Sequence, residues 1–413
     1  MVKKINFGIG FLAGRSNVCN IINGYYKEIL EQGKKSGYDV KFTFFILFDL
    51  NYQHTTRNQF YNLIPEVYQY MQVKYITPED IEEEKKILVS RHGMKEEDIN
   101  LILGSGYARA RNSIMYFALK RKIDYLMFWD DDEYPVANIK NGEKNIKWIK
   151  QNNVLEHLLN IKNADVTMGY RCGNMSPIPF INFNDELREE DFRNYIDAVS
   201  NEAISWEKIR EIMNQKDGML YANKKILEEQ KVSKIKNLGK DNWLLASGIC
   251  INLTNLDRVP PFYNPPEARG EDTFFSTWLT NSTVLRVPVY HFHDSFLKYT
   301  NIIKEEFPDK LDKIKLNDNK VEQRFLSASI GWIKYKPLLM YITQKENYRK
   351  IIYETKQKLD SSTLKMNKAF QTCDFSCLKY ELEKYDEKVE EHYKEYIYSF
   401  EAWNKLKEVI KGL

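Results

Sequence analysis

The chain is predicted to fold as an α/β protein: a Rossmann-like, mostly parallel sheet flanked by helices, with a helical insertion and a helical C-terminal region. Three observations predict it. Apolar β-branched and aromatic runs alternate with segments of helical period across residues 5–298. The run Tyr125 to Trp129 is apolar at every position, as in a strand buried on both faces, and ends in Asp130, Asp131, Asp132 and Glu133. From Asn301 onward, lysine and glutamate alternate with aromatic residues at helical spacing.

Ile5 to Phe11 reads as the first strand. A loop through Ala13-Gly14-Arg15 follows, then a helix capped by Ser16 with Val18, Ile21, Ile22, Tyr25, Ile29 and Leu30 on one face. Lys41 to Phe48 is a second strand, Thr77-Pro78 opens a charged helix, and Leu101 to Leu103 is expected to be a short third strand. Gly104-Ser105-Gly106 leads into a helix over Ala108 to Lys122, which feeds the acidic strand. Next come a helix near Ile146 to Ile161 and a strand from Asp165 to Tyr170. A helical insertion spans about 182–240, and strand character returns from Trp243 to Leu253. Glu271 to Leu279 is a short helix and Val284 to Val289 a last strand. Such alternation argues for right-handed βαβ units. A composition shift places a domain boundary near 298, dividing a catalytic domain, 1–298, from a helical region, 299–413.

With 61 basic against 58 acidic side chains and no basic stripe, nucleic acid is not expected as a partner. The five cysteines are scattered and lack zinc spacing, which favours reduced thiols. There is no cleavage-site pattern and no run of roughly eighteen apolar residues. A soluble cytoplasmic protein is expected, at most peripheral at the inner face of the membrane.

Four carboxylates at a strand end repel one another unless a cation sits among them. Mg²⁺ and Mn²⁺ take oxygen ligands, and ligands of open α/β sheets bind at the carboxyl ends of strands. Three further segments fall near this cluster in the chain order. Gly106-Tyr-Ala-Arg-Ala-Arg-Asn112 puts Arg109 and Arg111 at a helix start, either as surface charge or for a diphosphate. Arg269-Gly-Glu-Asp opens a helix with Glu271 and Asp272, which suit capping as well as acid–base work. His291 and His293, two apart, point the same way and offer a nitrogen ligand to the same cation. Gly169 to Pro179 follows a strand, is rich in turn residues and is expected to border a bound substrate, and Ser247-Gly248 either bulges a sheet or lets a ligand approach the backbone.

This ordered set, with Asp-x-Asp at Asp130 to Asp132, a Gly-Glu-Asp helix and a late histidine, resembles the nucleotide-sugar glycosyltransferases of the GT-A fold, family 2-like, over residues 3–298. The resemblance implies a hexose moved from UDP- or GDP-hexose, with Mn²⁺ or Mg²⁺, to a glycan, lipid-linked or protein hydroxyl. It puts Asp130, with Asp131 beside it, near the ribose and metal waters. Asp132 becomes the direct ligand, His293 or His291 a second one, and Asp272 the base of an inverting reaction. Glu271, about 100° away on the helix, would cap or face solvent. Ala13, Gly14 and Arg15 would seat the nucleotide base, with Arg109 and Arg111 on the diphosphate. The insertion and the missing Gln-x-x-Arg-Trp element depart from the family. A retaining GT-A enzyme, a sugar nucleotidyltransferase and a helical scaffold with a degenerate transferase domain are the alternatives.

In the C-terminal region, Leu378, Leu382, Tyr385, Val389, His392, Tyr396, Ser399, Trp403, Leu406 and Ile410 form one stripe. It is expected to dock on the chain's own catalytic domain, with homo-oligomerisation or an acceptor-protein surface as the alternatives.

Overall fold

The computed structural model describes residues 3–52, 54–142, 145–174, 177–201, 205–215, 218–239, 242–245, 247–316, 319–371 and 373–412. Its strands are β1 (Lys4–Ala13), β2 (Asp39–Phe48), β3 (Gln72–Ile76), β4 (Tyr125–Phe128), β5 (Glu133–Tyr134), β6 (Val136–Asn141), β7 (Asn145–Lys150), β8 (Val166–Asn174), β9 (Met219–Leu220), β10 (Ser233–Lys234), β11 (Ile249–Asn252) and β12 (Val284–His293). The main sheet runs β10-β12-β8-β11-β4-β1-β2-β3, with β5 on β12 and β9 on β8. β1, β2, β3 and β4 are mutually parallel, β11 is antiparallel to both its neighbours, and β12 is parallel to β8. The class is therefore mixed α/β with a mostly parallel sheet and flanking helices.

Helices cover both faces. Asn17–Lys35 and Asn153–Ile161 pack on one, burying Val18, Ile22, Val154 and Leu158 against Phe7, Phe44 and Met127. Pro78–His92, Glu96–Ile102 and Tyr107–Lys120 pack on the other, where Leu88, Ile99 and Ile114 meet Phe45, Leu126 and Phe128. A third core is almost wholly helical. Glu189–Val199 from the insertion joins Asn319–Thr343, Tyr348–Ala369 and Cys377–Glu387 around Phe192, Tyr195, Phe325 and Phe375. Insertion and C-terminal region thus bury one another's apolar faces. The stripe from Leu378 to Leu406 is buried within the chain, and Trp403 donates its indole N–H to the Val259 carbonyl at 2.9 Å.

Several local expectations are corrected. Leu101 and Ile102 end a helix, because the polar, charged turn Lys95-Glu96-Glu97-Asp98 starts one, and the edge strand is instead Gln72–Ile76. Ser16 is itself in the helical region and makes no capping bond. Residues 146–150 belong to the β6–β7 hairpin turned at Gly142, so the helix begins only at Asn153. Strand character around Trp243 shrinks to Ile249–Asn252, with Ala246 outside the described residues. The insertion carries the short strands β9 and β10 beside its helices; positions 202–204, 216–217 and 240 within it are not described. Among the described residues, no helix is long and apolar enough to cross a membrane.

Candidate active site at the carboxyl edge of the sheet

β4 runs out at Phe128, and the next five residues fan their side chains in different directions. Asp131 turns back to the first loop. Its carboxylate accepts the Gly14 and Arg15 backbone N–H groups, at 3.1 and 2.8 Å, and a bond from the Arg15 guanidinium. Asn17 holds the Asp131 carbonyl at 2.8 Å. Buried with its three donors, Asp131 latches β1 to β4. Arg15 is equally engaged, reaching Asp132 Oδ2 at 2.9 Å and the Tyr52 hydroxyl at 3.2 Å. Tyr52 packs against Gly14, where a methyl group would stand 2.7 Å from its ring, so an aromatic side chain covers the loop expected to seat the nucleotide base.

Beside that loop, a cavity of about 100 Å³ opens at the carboxyl ends of β1 and β2. Leu12, Phe48, Asp49, Ile81, Glu82 and Ser105 are among its walls.

Asp132 meets His293 from the last long strand, with Oδ2 3.6 Å from Nε2. Nδ1 of His293 lies 3.0 Å from the Asn174 carbonyl, which can only accept, so Nδ1 carries a proton. Nε2 of the neutral ring is then bare toward Asp132. Burial alone pushes the Asp132 carboxyl up, but His293, Arg15 and Arg171 outweigh it and hold it well below the usual range. The histidine moves the opposite way: burial lowers its pKa, Asp132 raises it, and the net shift is upward.

His291 does not join this pair. It packs edge-on against Trp129 with Nδ1 3.5 Å from Glu133, and burial with Arg171 nearby pushes it down to about 3. Both histidines lie inside β12, not in a loop after it, and neighbouring positions on one face meet different carboxylates. β12 reaches this register through an irregularity between Arg286 and Tyr290. Pro288 sits there and cannot donate to the ladder.

Asp130 and Glu271 share one guanidinium. Arg111 places Nη2 3.3 Å from Asp130 and Nε 3.4 Å from Glu271, with its cation over the Phe128 ring. Only 4 % exposed, Arg111 braces Asp130 and Glu271 through Nη2 and Nε, while its Nη1 has no hydrogen-bond partner among the described residues. Arg109, two residues earlier and on the far side of the helix, faces elsewhere, donating to the Ser105 and Asn100 carbonyls. Glu271, expected at the solvent, is buried, and burial together with Asp272 pushes its carboxyl up to about 7. Asp272 is half-buried at the rim, with one oxygen on the Thr273 N–H at 2.9 Å and its charge felt by Arg111 and Arg171.

Two residues at the heart of the cluster were not singled out by sequence reasoning. Arg171 on β8 pairs with Glu133 at 2.8 Å and lies in the field of Asp130, Asp132 and Asp272. Ser247 donates to the other oxygen of Glu133. The sequence carries a signal for both segments, turn residues over Gly169–Pro179 and a bulge or ligand approach at Ser247-Gly248, yet a lone arginine in a strand has no motif. Met175 and Ser176 of the first segment lie outside the described residues.

Six carboxyl side chains therefore gather here (Asp130, Asp131, Asp132, Glu133, Glu271, Asp272) against the guanidinium groups of Arg15, Arg111 and Arg171. Among the described residues no three His, Cys, Asp or Glu groups close on one metal position. Asp132 with His293 is the pair that fits a divalent cation. The second ring nitrogen tied to a backbone carbonyl is the usual support of a ligating histidine. No protein-family model matches the chain, and a search of curated proteins finds no match to it either.

Proposed function

We propose that the protein is a metal-dependent glycosyltransferase of GT-A type that moves a hexose from a nucleoside-diphosphate sugar to an acceptor hydroxyl. The observation that carries the reading is the Asp132–His293 pair, 3.6 Å apart at the carboxyl edge of the parallel strands. A carboxylate oxygen and an imidazole nitrogen at that separation can share one Mn²⁺ or Mg²⁺ that displaces the proton held between them, leaving the other positions to water and substrate phosphate. Such an ion neutralises the charge that develops on a departing diphosphate. Asp49 and the cavity wall around it supply an acceptor and an apolar slot for a nucleoside base.

Asp272 is the proton acceptor in this reading. It is the partly exposed member of its pair, and Glu271, raised to about 7, holds its own proton more readily. The general base must be ionised and within reach of the hydroxyl.

Calorimetric titration of UDP and GDP with Mn²⁺ tests the reading. The wild type is expected to bind one of them only with the metal, and Asp132→Asn to weaken that binding by about 100-fold or more. Unchanged affinity in the variant would move the cation away from Asp132. A wild type that binds neither nucleotide with metal would remove the transferase reading.

A further inference from the structure

We infer that Arg324, from the C-terminal helical region, and Arg269 form an anion-binding pair at the mouth of the acidic centre, taking the diphosphate of the donor. The identity of that anion rests on the transferase reading; the existence of the site does not.

Helix Asn319–Thr343 lies across the turn that opens the Glu271 helix. Gly331 makes the approach possible: a methyl group there would stand 2.8 Å from Cδ of Arg269, whose N–H reaches the Gly331 carbonyl at 3.4 Å. Arg324 precedes Gly331 by seven residues, about two helical turns, so both lie on the same face, roughly 10 Å apart along the axis. The Arg324 guanidinium donates to the Ser295 carbonyl and stacks over the Phe296 ring at 4.4 Å. Ser295 follows Asp294, whose N–H is bonded to the Asp132 carbonyl at 2.8 Å. Arg324 is thus two short links from the cation pair. Arg269 lies over the Tyr107 ring at 5.9 Å, on the side of the site where the Tyr107 helix begins.

Every other arginine of the centre is matched by carboxylates. Arg15 has Asp131 and Asp132, Arg111 has Asp130 and Glu271, and Arg171 has Glu133. Among the described residues, Arg269 and Arg324 have no carboxylate within ion-pair distance, although both are half-buried. Burial lowers the pKa of Arg324; Tyr52 and Asp132 raise it, Arg15 and Arg269 lower it, and the net shift is downward. Like charges drawn together away from bulk water need an anion to offset their repulsion. Two planar forks of donors suit the oxygens of a phosphate chain. Of the two arginines at the start of the Tyr107 helix, Arg109 donates to carbonyls and Arg111 spends Nη2 and Nε on carboxylates.

Isothermal titration of the full chain with inorganic pyrophosphate, without metal, tests the site. The wild type is expected to bind it, and Arg324→Gln and Arg269→Gln each to weaken it roughly 10- to 100-fold, as for loss of a charged hydrogen bond. Arg109→Gln is expected to leave it unchanged. Melting curves check the fold; should a glutamine variant unfold, Arg324→Lys and Arg269→Lys keep the charge, give up the fork and show a smaller loss of the same sign. No binding by the wild type, unchanged affinity in both site variants, or an equal loss in Arg109→Gln would overturn the inference. If pyrophosphate binds as expected and no sugar nucleotide does, the anion site stands and the transferase reading falls.

Discussion

The acidic centre at the carboxyl edge of the sheet and the helical unit beside it both bury charge, and they neutralise it by different means. In the helical core, Lys336 is 5 % exposed and points its amine at the Asp197 and Ala198 carbonyls, where helix Glu189–Val199 ends. No carboxylate pairs with it among the described residues; burial, aided by Lys358, pushes its pKa down to about 7, so near neutrality it sheds its charge. The acidic centre keeps part of its charge: burial pushes Asp131 and Glu271 up to about 7, while Asp132 is held well below the usual carboxylate range. Carboxyls outnumber their guanidinium partners, and part of the negative charge is held in readiness. A buried charge that can be lost caps a helix; a cluster that cannot cancel itself is arranged for something that arrives.

The largest effect should come where that uncancelled charge meets the acceptor. Asp272→Asn is expected to lower sugar transfer by roughly 10²- to 10⁴-fold while leaving nucleotide binding intact. Glu271→Gln, which removes a carboxyl that already holds its proton near pH 7, should cost less than about tenfold. Transfer assays on both variants decide. The reverse order would make Glu271 the base, and two active variants would leave an inverting mechanism without support.

Glu133 tests where readiness ends and structure begins. It is buried between Arg171 and Ser247, with His291 alongside. Glu133→Ala strands a cation, and breaking such a pair typically costs about 3–5 kcal/mol. A fall in melting temperature with donor binding retained in the surviving fold would place Glu133 with the struts. Loss of binding at an unchanged melting temperature would place it in the working site.

The helical unit should show a pH dependence of the same sign as an acid-labile centre, displaced to the alkaline side of neutrality. An unfolded chain keeps the Lys336 proton up to about 10.5, and the folded chain gives it up near 7. Across that interval the unfolded state binds the extra proton, so stability is expected to rise as pH increases, by at most about 1.4 kcal/mol per unit. Urea melts of wild type and Lys336→Met between pH 7 and 9.5 check it: the slope should flatten in the variant. Parallel curves would assign the slope to other groups.

What the sequence made legible follows period and punctuation. β1, β2, β4 and the helices after Thr77-Pro78 and Gly106 were readable because each has a clean apolar period and a start signal. β3 was missed because Gln72–Ile76 is a half-exposed edge strand with polar residues on the open side. The β6–β7 hairpin was read as helix because Ile146, Ile149 and Val154 also satisfy a helical spacing. In the site, Asp130, Asp132, Asp272 and His293 were found as residue types in order along the chain. Which carboxylate meets which cation was not legible, since Arg15, Arg111 and Arg171 arrive from three separate elements. Arg324 was invisible for the same reason: nothing within a helical stripe marks the one position that overhangs another domain's turn.

The smallest effect is the one that separates the two histidines. Their spacing suggests equal ligands, yet His293 turns Nε2 to Asp132, whereas neither ring nitrogen of His291 has a hydrogen-bond partner among the described residues. Burial keeps His291 neutral, with a pKa of about 3, so it behaves like the silent lysine of the helical core although it sits in the acidic centre. His293→Gln should therefore weaken Mn²⁺ binding by at least about tenfold. His291→Gln should change it less than about twofold and lower stability by about 1 kcal/mol through lost packing on Trp129. Paired Mn²⁺ titrations and melts measure both. A larger metal defect in His291→Gln would mean that the cation lies on the Glu133 side of the fan and that Asp132 and His293 are merely an ion pair.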